Sequence, residues 1–488
     1  MVLVISEVDA LYSAMPLAAL WNPASGNQKT CHLLIDTIER SYLQGRYISI
    51  MLAPHKTRNT LLFHSSLVEH TIPQQNKHKP PTITDFIGWI LQGGVLLSTT
   101  IIVFGLCLAV LSPGGFSLQR AFLFPQTLSQ IGAGLLAWQP QAVIMLGLLL
   151  LIATPVIRVA ASMVAFAFER DRKYVIITLI VLAILLLSLL LGQYNTTSEH
   201  FNNLMLPHFS MSTFLLIFIG SVVAGTLGSL VGLGGGVLLV PLLTLAFGLP
   251  ISLAIGVSII SVIATSSGAA AAYVRDHLTN VRVGMFLELG TTIGAISGAF
   301  LTSLLAPNSL SVIFGIVLLI SAAPLLFKMG EELPRGVKND RLATWLHLSA
   351  SYPDRHLGRD VPYQVTRTPF GLAMMYIAGL ISGLLGIGSG AFKVLALDTL
   401  MRLPLKVSTT TSNLMIGVTA AASAGIYFSR GDIPPLIAAP VALGVLMGAL
   451  IGARLLVHLS SRTLRLIFLP MIAITALQMI LHGMGGHF

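Results

Sequence analysis

Apolar residues fall along this chain in long unbroken runs separated by short polar stretches, without the period-two alternation of a barrel strand. Runs of about 18 residues or more are long enough to cross the hydrocarbon core of a bilayer as helix. The pattern predicts an all-α polytopic membrane protein. Residues 1–82 depart from it. They are mixed and polar, end in QQNKHKPP, and hold apolar patches around Leu17 and Ile48 that are too short to span. They read as a polar N-terminal extension, cytoplasmic and largely disordered or weakly helical. No basic n-region with an apolar core and a small-residue cleavage site marks a signal peptide. Spanning helices are predicted at about 86–111, 142–167 and 174–193, with the charged turn Glu169 to Lys173 between the last two. They form a three-helix membrane module over 83–193, followed by a polar linker over 194–210.

From residue 211 the pattern repeats itself at an offset of 154 residues. AGTLGSLVGLGGG (Ala224 to Gly236) falls on AGLISGLLGIGSG (Ala378 to Gly390). The match runs on without a gap: Leu249-Pro250 meets Leu403-Pro404, Ser258 meets Ser412, and Tyr273 meets Tyr427. Gly290, Gly294 and Gly298 meet Gly444, Gly448 and Gly452. Glycines, prolines and tyrosines in register go beyond what shared apolar composition produces, and they indicate an internal duplication. Repeat 1 (211–328) has apolar segments at about 212–231, 237–249, 252–274, 283–305 and 309–327. Repeat 2 (369–488) has them at about 370–385, 391–403, 406–428, 435–457 and 463–482. The second segment of each is about 13 residues long, short enough to be a re-entrant half-helix. Five segments is an odd number, so the two repeats should be inverted in the membrane.

Composition agrees and adds an orientation. The chain is 55% hydrophobic and 9% charged, with a mean hydropathy of +0.85. Its net charge of +10 does not mark a nucleic-acid binder, because Lys and Arg sit in the loops. With the N-terminus in the cytoplasm, the basic loops fall inside: 169–173, the loop with Arg275 and Arg282, the connector 329–368, Arg402 with Lys406, and Arg454 with Arg462 and Arg465. This predicts a multi-pass protein of the cytoplasmic membrane. Cys31 and Cys107 lie far apart and form no disulfide framework. Nucleotide, metal and nucleophile motifs are absent, and no histidine lies deep in a span, so no cofactor, metal or enzymatic activity is expected.

The residues that can carry chemistry sit at the glycine-rich breaks. Gly232, Gly234, Gly235 and Gly236 form the first cluster, and Gly386, Gly388, Ser389 and Gly390 the second. The Gly290 and Gly444 triplets recur every four residues, which suits close helix packing. The clusters are too dense for that and would break the helix, which a membrane tolerates only beside a cavity or within protein. An unwound segment exposes backbone N–H groups, and the next helix points its positive N-terminus at the same place, so the pair reads as an anion site. Lys393 lies one turn past Gly390, where repeat 1 has Leu239. It would attract an anion, snorkel to the interface, or pair with Asp398. Thr410, Thr411, Ser412 and Asn413 offer hydroxyls and an amide, with Ser258 the counterpart of Ser412. Their alternative role is interhelical bonding. Glu288, six residues past Arg282, would carry a coupling proton or be a partly solvated structural acid; Asp398 is a second coupling candidate.

GTLGSLVGLGGGVLLVPLL and GLLGIGSGAFKVLAL together resemble the sulfite exporter TauE/SafE family of permeases, over about 212–482. The resemblance implies export of a small sulfur-containing anion, such as sulfite or an organosulfonate, by secondary transport. Ser389 departs from an all-glycine pattern. Residues 84–193 resemble, less specifically, a three-helix membrane family of unknown function encoded beside such permeases. The expected partners are a small inorganic or organic anion and the lipid bilayer; a homo-oligomer is left open. An anion or small-solute channel, or a scaffold whose glycines serve packing only, are the competing readings.

Overall fold

The computed structural model describes residues 2–3, 50–51, 83–112, 124–125, 127–194, 211–231, 235–275, 278–326, 336–354, 359–456 and 461–485. The chain divides into two compact units, Met1–Pro80 and Pro81–Phe488. In the first, β1 (Val2–Leu3) pairs antiparallel with β2 (Ile50–Met51). The rest of the expectation for residues 1–82, and the linker from 195 to 210, lie outside the described residues.

The second unit opens with the three long helices the apolar runs predict: α1 (Ile83–Leu111), α3 (Pro140–Phe168) and α4 (Arg172–Tyr194). Between the first two lies α2 (Leu128–Leu136), a nine-residue helix closed by a Thr127–Gln130 capping box. It spans only about 14 Å, too short to cross and alter the parity of the spans. Leu96, Leu187 and Leu215 are among the large apolar side chains left exposed, as helices facing lipid require.

The two repeats then appear as two copies of one helical plan. Repeat 1 consists of α5 (Met211–Val231), α6 (Gly236–Pro241) running into a π-helical turn at Leu242–Ala246, α7 (Ile251–Arg275), α8 (Val281–Leu304) and α9 (Pro307–Leu326). A connector follows, with α10 (Arg341–Trp345) and an antiparallel hairpin of β3 (Ala350–Asp354) and β4 (Arg359–Tyr363). Repeat 2 consists of α11 (Thr368–Leu385), α12 (Gly390–Leu395) with its own π turn at Ala396–Leu400, α13 (Leu405–Ser429), α14 (Pro435–Leu456) and α15 (Ser461–Gly483). The half-helix, its π turn and α7 recur as α12, its π turn and α13 with both bounds moved by the same 154 residues. Pro241 is matched by Leu395, so proline is not what opens the π turn. Each half-helix with its π turn runs 11 residues, Gly236–Ala246 in the first repeat. That is about 16 Å, half a bilayer, which fits the re-entrant reading.

Equivalent helices run in opposite directions. Gly256, near the start of α7, meets the backbone of Asp432 just past the end of α13. Asn280, past the end of α7, donates its backbone N–H to Thr411 Oγ1 near the start of α13 (3.1 Å). Likewise Gly483 at the end of α15 lies against Asn308 at the start of α9. The repeats are therefore inverted, and they exchange partners. A Cβ on Gly290, Gly294 or Gly298 of α8 would come within 2.8, 2.1 and 2.1 Å of the Leu372, Tyr376 and Leu380 carbonyl oxygens of α11. On Gly444, Gly448 or Gly452 of α14 it would come within 2.7, 2.1 and 2.5 Å of the Phe218, Val222 and Thr226 carbonyl oxygens of α5. Both triplets serve close packing, as their spacing predicts, and each joins the fourth helix of one repeat to the first of the other.

The connector, which the sequence marks only by its charge, is folded onto this frame. Asp340 caps α10 and accepts hydrogen bonds from the Thr368 N–H and hydroxyl, anchoring α11. Tyr174 on α4 donates to the Leu346 carbonyl (2.8 Å), and Asn280 Nδ2 to the Leu348 carbonyl (2.9 Å).

Candidate functional site

The second break is made by backbone dihedrals that few side chains accept. Gly386 (φ 68°) ends α11, Gly388 has φ 73°, and Ser389 is held at φ 50° as the residue before α12. Among the described residues, the N–H groups of Ile387, Gly388 and Ser389 donate no backbone hydrogen bond. The Ser389 hydroxyl is likewise buried without a partner. At the first break Gly232 and Gly234 lie outside the described residues, but Gly235 and Gly236 are buried where α6 begins.

The two breaks touch. A Cβ on Gly236 would sit 2.7 Å from the Gly386 carbonyl oxygen. Ser258 on α7 donates to that carbonyl (2.8 Å) and also lies 3.4 Å from the Gly236 carbonyl of its own repeat. Ser412 on α13 occupies the equivalent place, 3.3 Å from the Gly390 carbonyl. Gly235, Gly236, Ser258, Gly386, Gly388, Ser389, Gly390 and Ser412 thus form one buried cluster. Thr410 and Thr411 do not join it. Thr410 donates to the Leu278 carbonyl (2.9 Å) and Thr411 accepts from the Asn280 N–H, so both tie α13 to the α7–α8 connection. Asn413 is half-buried and makes no hydrogen bond among the described residues.

Lys393 has no exposed surface and does not snorkel: its Nζ donates to Thr419 Oγ1 on α13 (2.7 Å). Nor does it pair with Asp398, whose Oδ1 is buried without a partner in the π turn. The equivalent Thr244 hydroxyl is orphaned in the same way. Glu288 is not partly solvated. It is fully buried on α8, with Oε1 3.7 Å from Nη2 of Arg158, which is equally buried. Its distance in sequence from the loop gave no measure of its cover, because α4, α11 and α13 pack on α8 and the Arg158 side chain reaches in from α3. Arg158 also donates to the Leu414 carbonyl of α13. Sequence reasoning missed Arg158, although the signal was available: it is an arginine inside a spanning run, a rare and costly placement.

On the connector side a cavity of about 250 Å³ opens between α3, the α7–α8 connection and the hairpin, lined by Ser162, Phe166, Asn280, Arg282, Tyr352 and Tyr363. Burial pushes the Tyr363 phenol up to about 12, opposed by the hydrogen bond from Asn280 Nδ2 (2.8 Å), so the hydroxyl stays protonated.

Residues 216–479, more than half of the chain and both inverted repeats, match the sulfite exporter TauE/SafE family. The chain belongs to that family. Its relatives are named as transporters. A probable membrane transporter protein of Bacillus subtilis strain 168, YunE, is 28% identical over 280 residues, which is 56% of this chain and 99% of that protein. A second from the same organism, YdhB, is 27% identical over 243 residues, 49% of this chain and 89% of its own length. The probable membrane transporter protein MJ0441 of Methanocaldococcus jannaschii is 23% identical over 282 residues, 55% of this chain and 95% of that protein. No solved structure matches significantly. Residues 87–190 match a separate protein family of unknown function, DUF1634. In this TauE/SafE member, Glu288 and Lys393 therefore belong to the transporter region, while Arg158 comes from the module before it.

Proposed function

We propose that this membrane transporter exports a small sulfur-containing anion, such as sulfite or an organosulfonate, across the cytoplasmic membrane by alternating access. The observation that carries the reading is the contact of two inverted glycine breaks, bridged by Ser258, with Lys393 fully buried one turn into the second half-helix. The free N–H groups of Ile387, Gly388 and Ser389, the N-terminus of α12 and the Lys393 ammonium all favour negative charge. The Ser389 hydroxyl is a further free donor, and those of Ser258 and Ser412 become donors when their carbonyl bonds open. The glycine-packed pairs α5–α14 and α8–α11 are rigid arms of a two-state rocking motion, with the breaks at its pivot. A membrane potential positive outside favours anion exit by about 2.3 kcal/mol per charge for each 100 mV, so export needs little extra coupling.

Purified protein in proteoliposomes, tested with sulfite, thiosulfate, sulfate and methanesulfonate under an imposed potential, decides the matter. Saturable flux accelerated by the same anion on the far side is expected for at least one of them. Unitary conductance steps would make the protein a channel, and movement of none would overturn the anion class.

A further inference from the structure

The cavity of about 250 Å³ on the connector side is built from both matched regions. Ser162 and Glu169 reach it from α3 and its C-cap, Thr279 and Arg282 from the α7–α8 connection and the start of α8, and Tyr363 from β4. Its lining holds hydrogen-bond donors that are not in use. Thr279 Oγ1 is buried without a partner among the described residues. The Tyr363 hydroxyl accepts from Asn280 Nδ2 and keeps its own proton to donate. Arg282 adds a guanidinium, a planar fork of five donors. Glu169 is the one carboxylate in the lining, and it is paired: Arg282 Nη2 lies 3.6 Å from Glu169 Oε2 and 3.3 Å from Asp171 Oδ2. The guanidinium also sits over the Tyr174 ring, 5.6 Å from its centroid. All three of these partners belong to the α3–α4 turn or the start of α4. Arg282 and the two carboxylates are partly exposed, and ion pairs at such sites are weak enough to exchange. From the cavity the wall leads inward. The Asn280 N–H donates to Thr411 Oγ1, and the next residue, Ser412, lies against the Gly390 carbonyl of the second break.

We propose that this cavity is the entry station for the transported oxyanion on the connector side, where Arg282, Thr279 and Tyr363 bind it before it reaches the breaks. The α3–α4 turn is the latch: it holds Arg282 until the anion takes the place of Glu169 and Asp171. The N-terminal module then forms part of the path, one wall of the entry and the release of its charged ligand. The inference rests on the anion reading above. It adds a second site to that reading, separate from the glycine breaks and open to one face.

The test uses the full chain, reconstituted at single-molecule occupancy and sorted into its two orientations by capture on a C-terminal affinity tag. Trypsin cleavage of the connector marks which face lies outside. KM is measured from each face with ³⁵S-labelled sulfite in anoxic buffer, or with labelled thiosulfate, sulfate or methanesulfonate if sulfite is not carried. If wild type carries none of them, the anion reading fails before any variant is measured; the outcomes below bear on the entry station alone. Arg282→Gln should raise KM at least tenfold from the connector face and less than threefold from the other. The double variant Glu169→Gln, Asp171→Asn breaks the same ion pairs but frees Arg282, so it should lower the connector-face KM. A smaller rise in Arg282→Gln, or a rise of similar size from both faces, would overturn the proposal. So would a connector-face KM in the double variant equal to or above that of wild type, since the ion pairs would then serve structure alone. If Arg282→Gln does not assemble, Thr279→Val decides. Removing a buried hydroxyl that has no partner should not lower the melting temperature, and should raise the connector-face KM at least threefold; a smaller change sinks the proposal.

Discussion

At Gly236 and at Gly390 the chain starts the same short helix, runs into the same π turn, and returns through a helix that carries a serine 22 residues on. The side chains around the two starts differ. Where repeat 1 has Gly235, Leu239 and Thr244, repeat 2 has Ser389, Lys393 and Asp398. Where repeat 1 has Glu288 on its fourth helix, repeat 2 has Ala442. The duplicated features are those the backbone needs: glycines where helices touch, and hydroxyls on the buried carbonyls at the breaks. The features that differ are mostly charged, Lys393, Asp398 and Glu288, with Ser389 the uncharged exception. On the anion reading proposed above, the duplicated frame would set where a ligand sits and the asymmetric residues what it is.

The largest expected effects test the shared frame. Gly294→Val and Gly448→Val each place a Cβ 2.1 Å from a carbonyl oxygen of the partner helix, Tyr376 or Val222, where no side-chain rotamer can give way. Each should cost about 3 kcal/mol or more, and the two should lose assembled protein to a similar degree by size-exclusion chromatography. Gly93→Ala, with nothing within 4 Å of the added methyl, is the control and should assemble normally. A large difference between the two valine variants would show that the repeats do not share the load. Next come the exchanges that make one repeat imitate the other. Lys393→Leu should reduce flux at least a hundredfold while leaving the melting temperature equal or higher, because a buried cation costs about 2.5–3.5 kcal/mol on insertion scales. Leu239→Lys, at a site with no exposed surface, should lower it by a comparable energy. Loss of assembly in Lys393→Leu would assign the lysine to structure.

The frame was legible in the sequence because membrane helices write their constraints into composition: apolar runs give the spans, and glycines every four residues give the contacts. The inversion followed from counting segments. What escaped was direction and neighbourhood. The hydroxyl run at 408–413 announces donors but not where they point, and two of them serve a helix connection while one serves the break. Glu288 was judged by its distance from a loop, when its cover comes from helices far away in sequence, α4, α11 and α13, and its ion pair from Arg158 of α3. Arg158 escaped for a simpler reason: the rule that singled out Lys393 applies equally to an arginine between Pro155 and Ser162 in a span. The connector's hairpin escaped because its strands are short and its charges dominate its composition.

The smallest effect makes the finest distinction between the repeats. Ser258 donates at 2.8 Å to a carbonyl of the other repeat, whereas Ser412 lies at 3.3 Å from a carbonyl of its own. Ser258→Ala leaves the buried Gly386 carbonyl without its donor and should cost about 1–2 kcal/mol, while Ser412→Ala should cost about 0.5 kcal/mol, read as the difference in melting temperature between the two. The stronger bond also ties one repeat to the other, so its loss should favour whichever conformation lacks it. Ser258→Ala should therefore change turnover as well as stability, and Ser412→Ala stability alone. Equal shifts in both measurements would mean that the two serines only brace their own breaks, and that the asymmetry of the site lies wholly in its charges.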